Sequence, residues 1–419
     1  MRVLYTVLLW LLLPFIFLKL LRRSRRQPEY LQHLGERFGF YLANSAKPVI
    51  WLHAVSVGET RATVSLVAKL RASYPDHQIL LTHTTPTGRA ISEQLYGDEV
   101  LRVYLPYDYP FAVRRFLRHY RPELGILMET EIWFNLIHEA HAAGVPVLLL
   151  NARLSEKSAR GYARASHLTR SALRQLNAIA AQTPDDAARL IQLGAGPVSV
   201  MGNLKFDIAP PPAMLTLGVA LRGQFGTKRK IVLAASTREG EEALLLDAWQ
   251  AGGVLLVIVP RHPQRFDEIA QLLSSRGLRY QRRSENRDVA SDIQVVLGDS
   301  MGEMFAYYAA CDVAYIGGSL LPFGGQNLIE ACSVGTPVLI GPHTYNFTEA
   351  TRLAVEAGAA VRVNDAAELF QVAGSLLGDE GRLAAMRQQG MQFVASHRGA
   401  TDKAMDVIAS VIEGSCAKE

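Results

Sequence analysis

Short apolar runs alternate with amphipathic stretches along most of the chain, a pattern typical of buried parallel strands separated by helices. It predicts strands in the first half over residues 49–55, 78–82, 124–128, 145–150 and 198–201. In the second half it predicts strands over residues 231–235, 254–259, 294–297, 313–316 and 337–340. About five strands per half favour an α/β protein with two Rossmann-like, doubly wound domains that face a cleft.

Consecutive prolines at Pro210, Pro211 and Pro212 interrupt this pattern, because neither a helix nor a central strand can continue through them. We therefore place the predicted boundary between two domains at this break. The predicted segments are a first Rossmann-like domain over 27–208, a linker over 209–227, a second Rossmann-like domain over 228–399, and a C-terminal helix and tail over 400–419.

The N-terminal sequence is typical of a segment that binds or enters a membrane. The sixteen residues from Val3 to Leu18 carry no charge, and the apolar stretch approaches the roughly 20 residues that cross a bilayer core. Residues 1–26 hold six basic residues and no acid: Arg2, Lys19, Arg22, Arg23, Arg25 and Arg26. Because the cluster follows the apolar run, it favours an uncleaved anchor with the globular part in the cytoplasm over a signal peptide. The segment could span the bilayer or lie in its interface.

Composition narrows the function classes. The chain is 49% hydrophobic and 20% charged, which excludes a disordered protein. Its net charge is +5, and removing the six N-terminal basic residues leaves 38 basic against 39 acidic residues, or −1. The globular part therefore shows no basic surface for nucleic acid. Three cysteines are too few for a disulfide scaffold, and no pair has zinc-site spacing.

Absent motifs narrow the chemistry further. The sequence has no P-loop, no Gly-x-Gly-x-x-Gly after the first strand and no Asp-x-Asp pair. We therefore expect no cofactor and no metal. A nucleotide leaving group would then depend on protein cations and helix dipoles for its stabilisation.

In open α/β sheets, ligands bind beyond the carboxyl ends of the strands, and polar residues cluster there in the first half. Glu59 follows the first strand and begins a helix, where it could act as a base or merely complement the helix dipole. Glu129 and Glu131 follow the third strand, and on a continuing strand only one of them would reach the cleft. Lys205 follows the fifth strand and could equally be a plain surface lysine.

The second half resembles an anion site. Arg261 follows Pro260 at a strand end and can make a two-pronged contact with phosphate. The Asp299-Ser300-Met301-Gly302-Glu303 segment begins a predicted helix, although Ser300 and Glu303 also fit a simple capping box. Glycine pairs at 317–318 and 324–325 let the backbone approach a ligand, and Glu330 is placed to accept from ribose hydroxyls.

A set of short motifs makes the sequence resemble the 3-deoxy-D-manno-octulosonic acid (Kdo) transferases of lipopolysaccharide biosynthesis. They occur in family order from the N-terminal anchor to at least Phe347. The motifs are GERFG from Gly35, HAVSVGET from His53, LPYD from Leu105, METEIW from Met128, NARLS from Asn151, GNLKFD from Gly202, PRHPQRF from Pro260, GDSMGEM from Gly298 and GGSLLPFGGQNLIEA from Gly317. Gln326 stands where the family often has His, and residues 321–323 look variable.

The resemblance implies a GT-B fold and transfer of Kdo from CMP-Kdo to the tetraacylated lipid A precursor (lipid IVA), with inversion at the anomeric carbon. It implies that the first domain binds the acceptor at the inner membrane. It further implies that Glu59 is the proton acceptor and that Glu129 and Lys205 stabilise the transition state. The residues implied to bind CMP are Pro260, Arg261, Met301, Gly302, Glu303, Asn327, Leu328, Ile329 and Glu330.

Two other functions fit a two-lobed α/β chain. One is a transferase or epimerase that uses a UDP-sugar, for which CMP would not compete with the donor. The other is a membrane-tethered binding protein, which the predicted cytoplasmic orientation and the carboxylate at Glu59 disfavour. The number of Kdo residues added does not follow from these motifs.

Overall fold

The computed structural model describes residues 1–25, 27–42, 44–250 and 252–416, which leaves Arg26 of the basic cluster and the last three residues of the predicted tail outside the described residues. The chain divides into two compact units. Unit 1 comprises Met1–Asp207 and Arg398–Glu419, and unit 2 comprises Ile208–His397.

Unit 1 is built on a seven-stranded parallel sheet in the order β3-β2-β1-β4-β5-β6-β7. Buried apolar residues line both of its faces, as expected for a sheet covered by helices on two sides. Its strands are β1 (Val49–His53), β2 (Gln78–His83), β3 (Leu101–Tyr104), β4 (Pro122–Met128), β5 (Val147–Ala152), β6 (Ala178–Ala181) and β7 (Val198–Val200).

Helices follow most of these strands, so the unit is doubly wound. Several begin with a side-chain cap, as at Ser56, Thr85 and Thr183. The helices before unit 2 are α1 (Arg2–Ser24), α2 (Val57–Ala62), α3 (Val64–Ser73), α4 (Pro86–Tyr96), α5 (Pro110–Tyr120), α6 (Phe134–Ala142), α7 (Glu156–Ala163), α8 (Ser166–Gln175) and α9 (Pro184–Gln192).

Unit 2 repeats the architecture, with parallel strands in the order β10-β11-β9-β8-β12-β13-β14. Its strands are β8 (Ile231–Thr237), β9 (Leu255–Pro260), β10 (Tyr280–Arg282), β11 (Val295–Leu297), β12 (Val313–Ile316), β13 (Val338–Ile340) and β14 (Ala360–Arg362). Its helices are α10 (Pro212–Phe225), α11 (Glu241–Ala248), α12 (Phe266–Ser275), α13 (Met304–Ala310), α14 (Ile329–Ser333), α15 (Thr348–Glu356), α16 (Ala366–Leu377) and α17 (Glu380–Ser396).

The structure differs from the predicted segments at two places. The predicted linker over 209–227 contains α10, which packs on α13 and contributes buried Leu221 and Phe225 to unit 2. The last helix, α18 (Ala400–Cys416), belongs to unit 1, where Ala404 and Ile408 are fully buried beside β1 and β4. Prolines therefore mark the start of a helix here, since Pro212 occupies its first turn.

The N-terminal helix α1 runs without interruption through Pro14. Among the described residues it is the one helix that is both long enough and apolar enough to cross a membrane. Most of its large apolar side chains are exposed, and Leu20 is its single buried residue.

Candidate functional site

Glu59 lies in the first turn of α2, immediately after the carboxyl end of β1. Its Oε2 accepts a hydrogen bond from the Val55 N–H (2.8 Å), and its Oε1 accepts one from the Ser56 hydroxyl (2.8 Å). The Ser56 oxygen in turn accepts from the Glu59 N–H (3.3 Å), so Ser56 is the side-chain cap of α2. These hydrogen bonds tie Glu59 to the start of α2, and the residue is buried, with 9% of its surface exposed.

Burial, followed by the neighbouring charge of Glu129, raises the pKa of Glu59 to about 7 against the lowering effect of its hydrogen bonds to the Val55 N–H and the Ser56 hydroxyl. A helix N-terminus ordinarily lowers the pKa of a carboxyl group, but for Glu59 desolvation decides the direction. A carboxyl group with a pKa near neutrality is suited to accept a proton at physiological pH.

Glu129 follows β4, the strand that pairs directly with β1. Its backbone adopts a left-handed conformation (φ 56°), an uncommon one for a residue other than glycine. Its Oε1 accepts from the Lys205 ammonium group at 3.2 Å, and both side chains are largely shielded from solvent. The structure thus pairs Lys205 with Glu129 rather than leaving it as a plain surface lysine.

Glu131 joins the same cluster. The charges of both Glu129 and Glu131 raise the pKa of Glu59, so the two carboxylates lie in one cluster. That only one of them reaches the cleft stays a prediction. The strand ends at Met128 and the left-handed turn at Glu129 breaks the alternation of side chains on which that prediction depended. Burial also raises the pKa of Glu131, whose Oε2 accepts from the Trp133 indole N–H (2.6 Å).

His53 is a member of this site that sequence reasoning did not single out. It is fully buried at the end of β1, and burial lowers its pKa to about 3, so the ring is neutral. Nδ1 lies 2.9 Å from the Thr82 hydroxyl, whereas Nε2 has no hydrogen-bond partner and lies 3.9 Å from Glu131 Oε2. The HAVSVGET motif held a signal for this residue, since it places His53 six positions before Glu59.

A loop of unit 1 positions Lys205. Gly202 takes a positive φ of 90°, and the Asn203 side chain accepts from the Lys205 N–H (3.0 Å). Asn151, itself in a left-handed conformation (φ 53°), accepts from the Leu204 N–H (3.1 Å). The NARLS and GNLKFD motifs therefore meet here, which explains why these residue types occur at these positions.

In unit 2, Arg261 follows Pro260, the last residue of β9, and its N–H donates to the Thr237 carbonyl (3.0 Å). Arg261 and Glu330 lie close enough to Tyr308 for both charges to act on its phenol, although burial is the main cause of its raised pKa. The structure therefore brings two of the predicted nucleotide-binding residues to one place. Burial and the nearby charges of Arg238 and Arg261 lower the pKa of His262, which marks a locally cationic surface.

The remaining predicted nucleotide residues lie on two loops. Asn327 lies just before the short helix α14, where it accepts from the Ile329 N–H (3.1 Å) and donates to Glu330 Oε1 (3.2 Å), and Leu328 is buried. Met301 is exposed and Gly302 has a φ of 80°. We predicted a helix from 299, but α13 begins at Met304, and Glu303 accepts from the Ser300 hydroxyl at 2.7 Å.

A buried carboxylate that the sequence analysis missed holds the glycine loop after β12. Glu241 Oε2 accepts from the Gly318 N–H (2.6 Å), and its Oε1 accepts from the Tyr315 hydroxyl (2.5 Å) and the Leu320 N–H (3.1 Å). Arg238 stacks on the ring of Phe323 in the same loop, with its guanidinium carbon 4.5 Å from the ring centroid. The adjacent acidic residues Glu241 and Glu242 at the start of α11 are the sequence feature from which this role could have been predicted.

Comparison with known proteins identifies the family. A family profile described as "3-Deoxy-D-manno-octulosonic-acid transferase (kdotransferase)" matches residues 32–208. A 3-deoxy-D-manno-octulosonic acid transferase of Bordetella pertussis is 45% identical, with 97% of this chain and 98% of that protein covered. The chain belongs to the Kdo transferase family. A second Kdo transferase, from Haemophilus influenzae, is 36% identical and covers 98% of this chain and 99% of its own length.

The fold of this Kdo transferase matches that of solved glycosyltransferases. A glycosyltransferase from Rickettsia africae superposes with a TM-score of 0.57 over 88% of this chain and 99% of that one, at 14% identity. An identity this low speaks to the fold alone, and it agrees with the two seven-stranded parallel sheets described above. The predicted GT-B fold is thus confirmed. Family membership also makes the chain a glycosyltransferase rather than a binding protein or an epimerase.

Proposed function

We propose that the protein transfers Kdo from CMP-Kdo to the tetraacyldisaccharide lipid A precursor, lipid IVA, with inversion at the anomeric carbon. The observation that carries this proposal is Glu59, a nearly buried carboxyl group whose pKa lies at about 7 beside the Glu129–Lys205 pair. A transferase that attacks with an acceptor hydroxyl needs one group that takes a proton at neutral pH and others that balance charge.

In the proposed reaction, Glu59 accepts the proton of the acceptor hydroxyl. The hydroxyl oxygen forms a bond to the anomeric carbon of Kdo, and the bond from that carbon to the phosphate oxygen breaks. The electron pair of the broken bond leaves with CMP. Lys205, held at 3.2 Å from Glu129, supplies positive charge to the carboxylate-rich surroundings of the transition state.

Unit 2 is proposed to hold CMP. Arg261 contacts the phosphate, and Glu330, whose carboxylate accepts from Asn327, accepts from the ribose hydroxyls. The other proposed nucleotide contacts come from Pro260, Met301, Gly302, Glu303, Leu328 and Ile329. This assignment is supported by the proximity of Arg261 and Glu330 to the same tyrosine, Tyr308.

We further propose that the enzyme works at the inner membrane with its two units on the cytoplasmic face, since the acceptor is a lipid and α1 is apolar enough to be an anchor. The absence of Asp-x-Asp from the sequence and the presence of Arg261 support activity without a divalent metal. A transfer assay in excess EDTA tests that part, and loss of activity that magnesium restores would contradict it.

The direct test of the function is CMP release from CMP-Kdo with and without lipid IVA. We expect release only when acceptor is present, and mass spectrometry of the lipid then gives the number of Kdo residues added. Release that does not depend on the acceptor, or competition by UDP-sugars instead of CMP, would contradict the proposal.

The donor site is tested separately by titration calorimetry with CMP. Arg261→Ala should weaken CMP binding by about 1.5–3 kcal/mol, the range of a hydrogen bond to a charged group. Arg261→Lys should restore only part of it, because lysine cannot form the two-pronged contact. Arg276→Ala is the matched control, since Arg276 pairs with Asp247 on the surface of the same unit. Unchanged affinity in Arg261→Ala would move the phosphate site elsewhere.

A further inference from the structure

We propose that α1 lies flat in the interface of an anionic phospholipid bilayer and does not cross it. The proposal rests on, and deepens, the proposed membrane location. It starts from a pattern of burial along the helix. Solvent is wholly or partly excluded from one stripe of side chains, which recurs every three or four residues and faces unit 1: Arg2, Tyr5, Thr6, Leu9, Leu13, Ile16, Leu20 and Ser24.

Specific polar contacts hold the first half of this stripe. The Tyr5 hydroxyl donates to Asp108 Oδ2 (2.9 Å), and the Arg2 guanidinium pairs with Glu139 (3.0 Å). Thr6 Oγ1 accepts from the Asn135 side-chain amide at 3.1 Å. These partners belong to α6 and to the LPYD motif before α5, so α1 is fixed to the globular part of unit 1.

Asp108 shows that the docking is built into the fold. It is buried, and it accepts from the Asn135 N–H (3.1 Å) and the Leu136 N–H (2.7 Å) at the start of α6 as well as from Tyr5. The Tyr109 hydroxyl next to it donates to the Leu9 carbonyl of α1 (2.7 Å). A helix that left unit 1 to enter the bilayer would uncover these groups.

Aromatic contacts extend the docking to the second half of α1. The Trp10 ring lies 5.7 Å from Phe111, and the Phe17 ring stacks on Phe38 at 6.0 Å. A helix of 23 residues is about 34 Å long, similar to the roughly 30 Å thickness of a bilayer core. If α1 crossed the bilayer in this docked state, the charged surface of α5 and α6 would have to enter the hydrocarbon with it, at high cost.

The outward face of α1 fits a lipid interface. Its exposed apolar side chains include Val3, Leu11, Phe15 and Leu18, which are 61–75% exposed. The cations of the helix lie at its C-terminal end, with Lys19 and Arg22 exposed beside this apolar face. An apolar face bordered by basic residues is the pattern of helices that lie in the headgroup region of anionic membranes.

The first experiment measures depth in the full-length chain. Nitroxide labels are placed at Val3→Cys, Leu11→Cys or Leu18→Cys in a Cys416→Ser background, because Cys311 and Cys332 are buried. The protein is bound to vesicles of phosphatidylglycerol and phosphatidylethanolamine, and collision with oxygen and a nickel chelate gives the depth of each label. We expect three similar, shallow depths. Across a bilayer, Leu11 would instead lie about 12 Å deeper than Val3.

The second experiment tests whether docking and membrane binding coexist. In the pair Thr6→Cys with Asn135→Cys, a bimane reagent that bridges neighbouring thiols should cross-link the vesicle-bound chain, and the cross-linked protein should stay bound. Each single variant is its control. A depth profile that peaks at Leu11, or no cross-link on vesicles, would overturn the flat arrangement alone. A full-length chain that does not bind vesicles at all would overturn the membrane location as well.

Discussion

At the scale of single residues, Glu59 shows how one side chain can be both a helix cap and a proposed base. Glu368 at the start of α16 has the same local geometry, since its carboxylate accepts from the N–H four residues before it and its own N–H donates to the capping residue Asp365. Glu368 is only partly buried, whereas Glu59 is buried beside Glu129. The surroundings, and not the capping pattern, therefore distinguish a proton acceptor.

This comparison supplies a matched pair of substitutions. Glu59→Gln should keep CMP binding and lower turnover about 10²–10⁴-fold, because it removes the proposed base and preserves the shape. Glu368→Gln alters the same capping motif and should leave turnover unchanged. Transfer rates and CMP calorimetry on both variants give the comparison. If Glu59→Gln turned over like the wild type, Glu59 would be only a cap.

Glu129 should set the pH at which the base works. The base must be ionised, so kcat/KM should rise as the pH increases through the Glu59 pKa of about 7. The Glu129 charge raises that pKa, and Glu129→Gln should therefore move the rising limb of the profile to lower pH while also lowering the maximal rate. The measurement is kcat/KM from pH 5 to 9. An unshifted limb would show that Glu129 does not act on Glu59.

The same pKa makes a prediction about stability. Because the folded-state pKa of Glu59 lies above its ordinary value, its contribution to stability is complete below pH 4.5 and is lost as the pH rises through about 7. The free energy of unfolding, measured with urea, should therefore decrease less for Glu59→Gln than for the wild type as the pH rises through this window. Equal pH dependence in the two proteins would contradict the burial argument.

The sequence predicted where the candidate charged residues lie in the fold better than it predicted how they meet. Glu59, Glu129 and Lys205 could be placed at strand ends from the α/β pattern. The position of Glu131 in the same cluster could not be predicted, because it depends on the left-handed backbone at Glu129. The periodicity of apolar residues does not reveal such a turn. Glu241 was hidden for a similar reason, since its partners lie about 75–80 residues further along the chain.

At the scale of elements, most of the central strands were predictable, and three of the four edge strands were not. The predicted strand at 231–235 is observed as Ile231–Thr237, and that at 49–55 as Val49–His53. Both sheets nevertheless have seven strands where about five were predicted. The missed strands are β3, β10 and β14, all at sheet edges, and β6, whose Ala-Ile-Ala-Ala sequence is weakly apolar. Short strands of this kind carry too few apolar residues for the pattern to register.

The turn after β12 depends on a glycine that no other residue can replace. A Cβ on Gly317 would lie 2.7 Å from both the Ser236 carbonyl carbon and the Thr237 Cα, and closer still to the Ser236 oxygen. Gly317→Ala should therefore destabilise unit 2 by about 1–3 kcal/mol and weaken CMP binding through the displaced loop. Gly374→Ala, with open space around it in α16, should be neutral or stabilising. Thermal unfolding and CMP calorimetry on both variants give the comparison. If Gly317→Ala behaved like Gly374→Ala, the steric argument for Gly317 would be wrong.

At the scale of the whole molecule, the chain leaves unit 1 after Asp207 and returns to it at Arg398. Asp207 holds the returning segment of the chain in place, because its carboxylate accepts from the Gly399 N–H (2.7 Å) and from the Thr401 N–H. The Asp207 of the GNLKFD motif is therefore structural, although it stands two residues from Lys205. Folding of unit 1 requires both ends of the chain, so it cannot be complete until α18 has been made.

This arrangement predicts where damage to the last helix will appear. Ile408→Ala removes a fully buried side chain from the core that contains β1 and β4, and it should cost about 2–5 kcal/mol. Hydrogen exchange should then accelerate in the strands of unit 1 and stay unchanged in those of unit 2, although unit 2 is the nearer neighbour in sequence. Asp406→Ala, at an exposed position of the same helix, is the control and should change neither. Faster exchange in β8, β9 or β12 would show instead that α18 stabilises the second sheet, and the division of the chain into its two units would have to be redrawn.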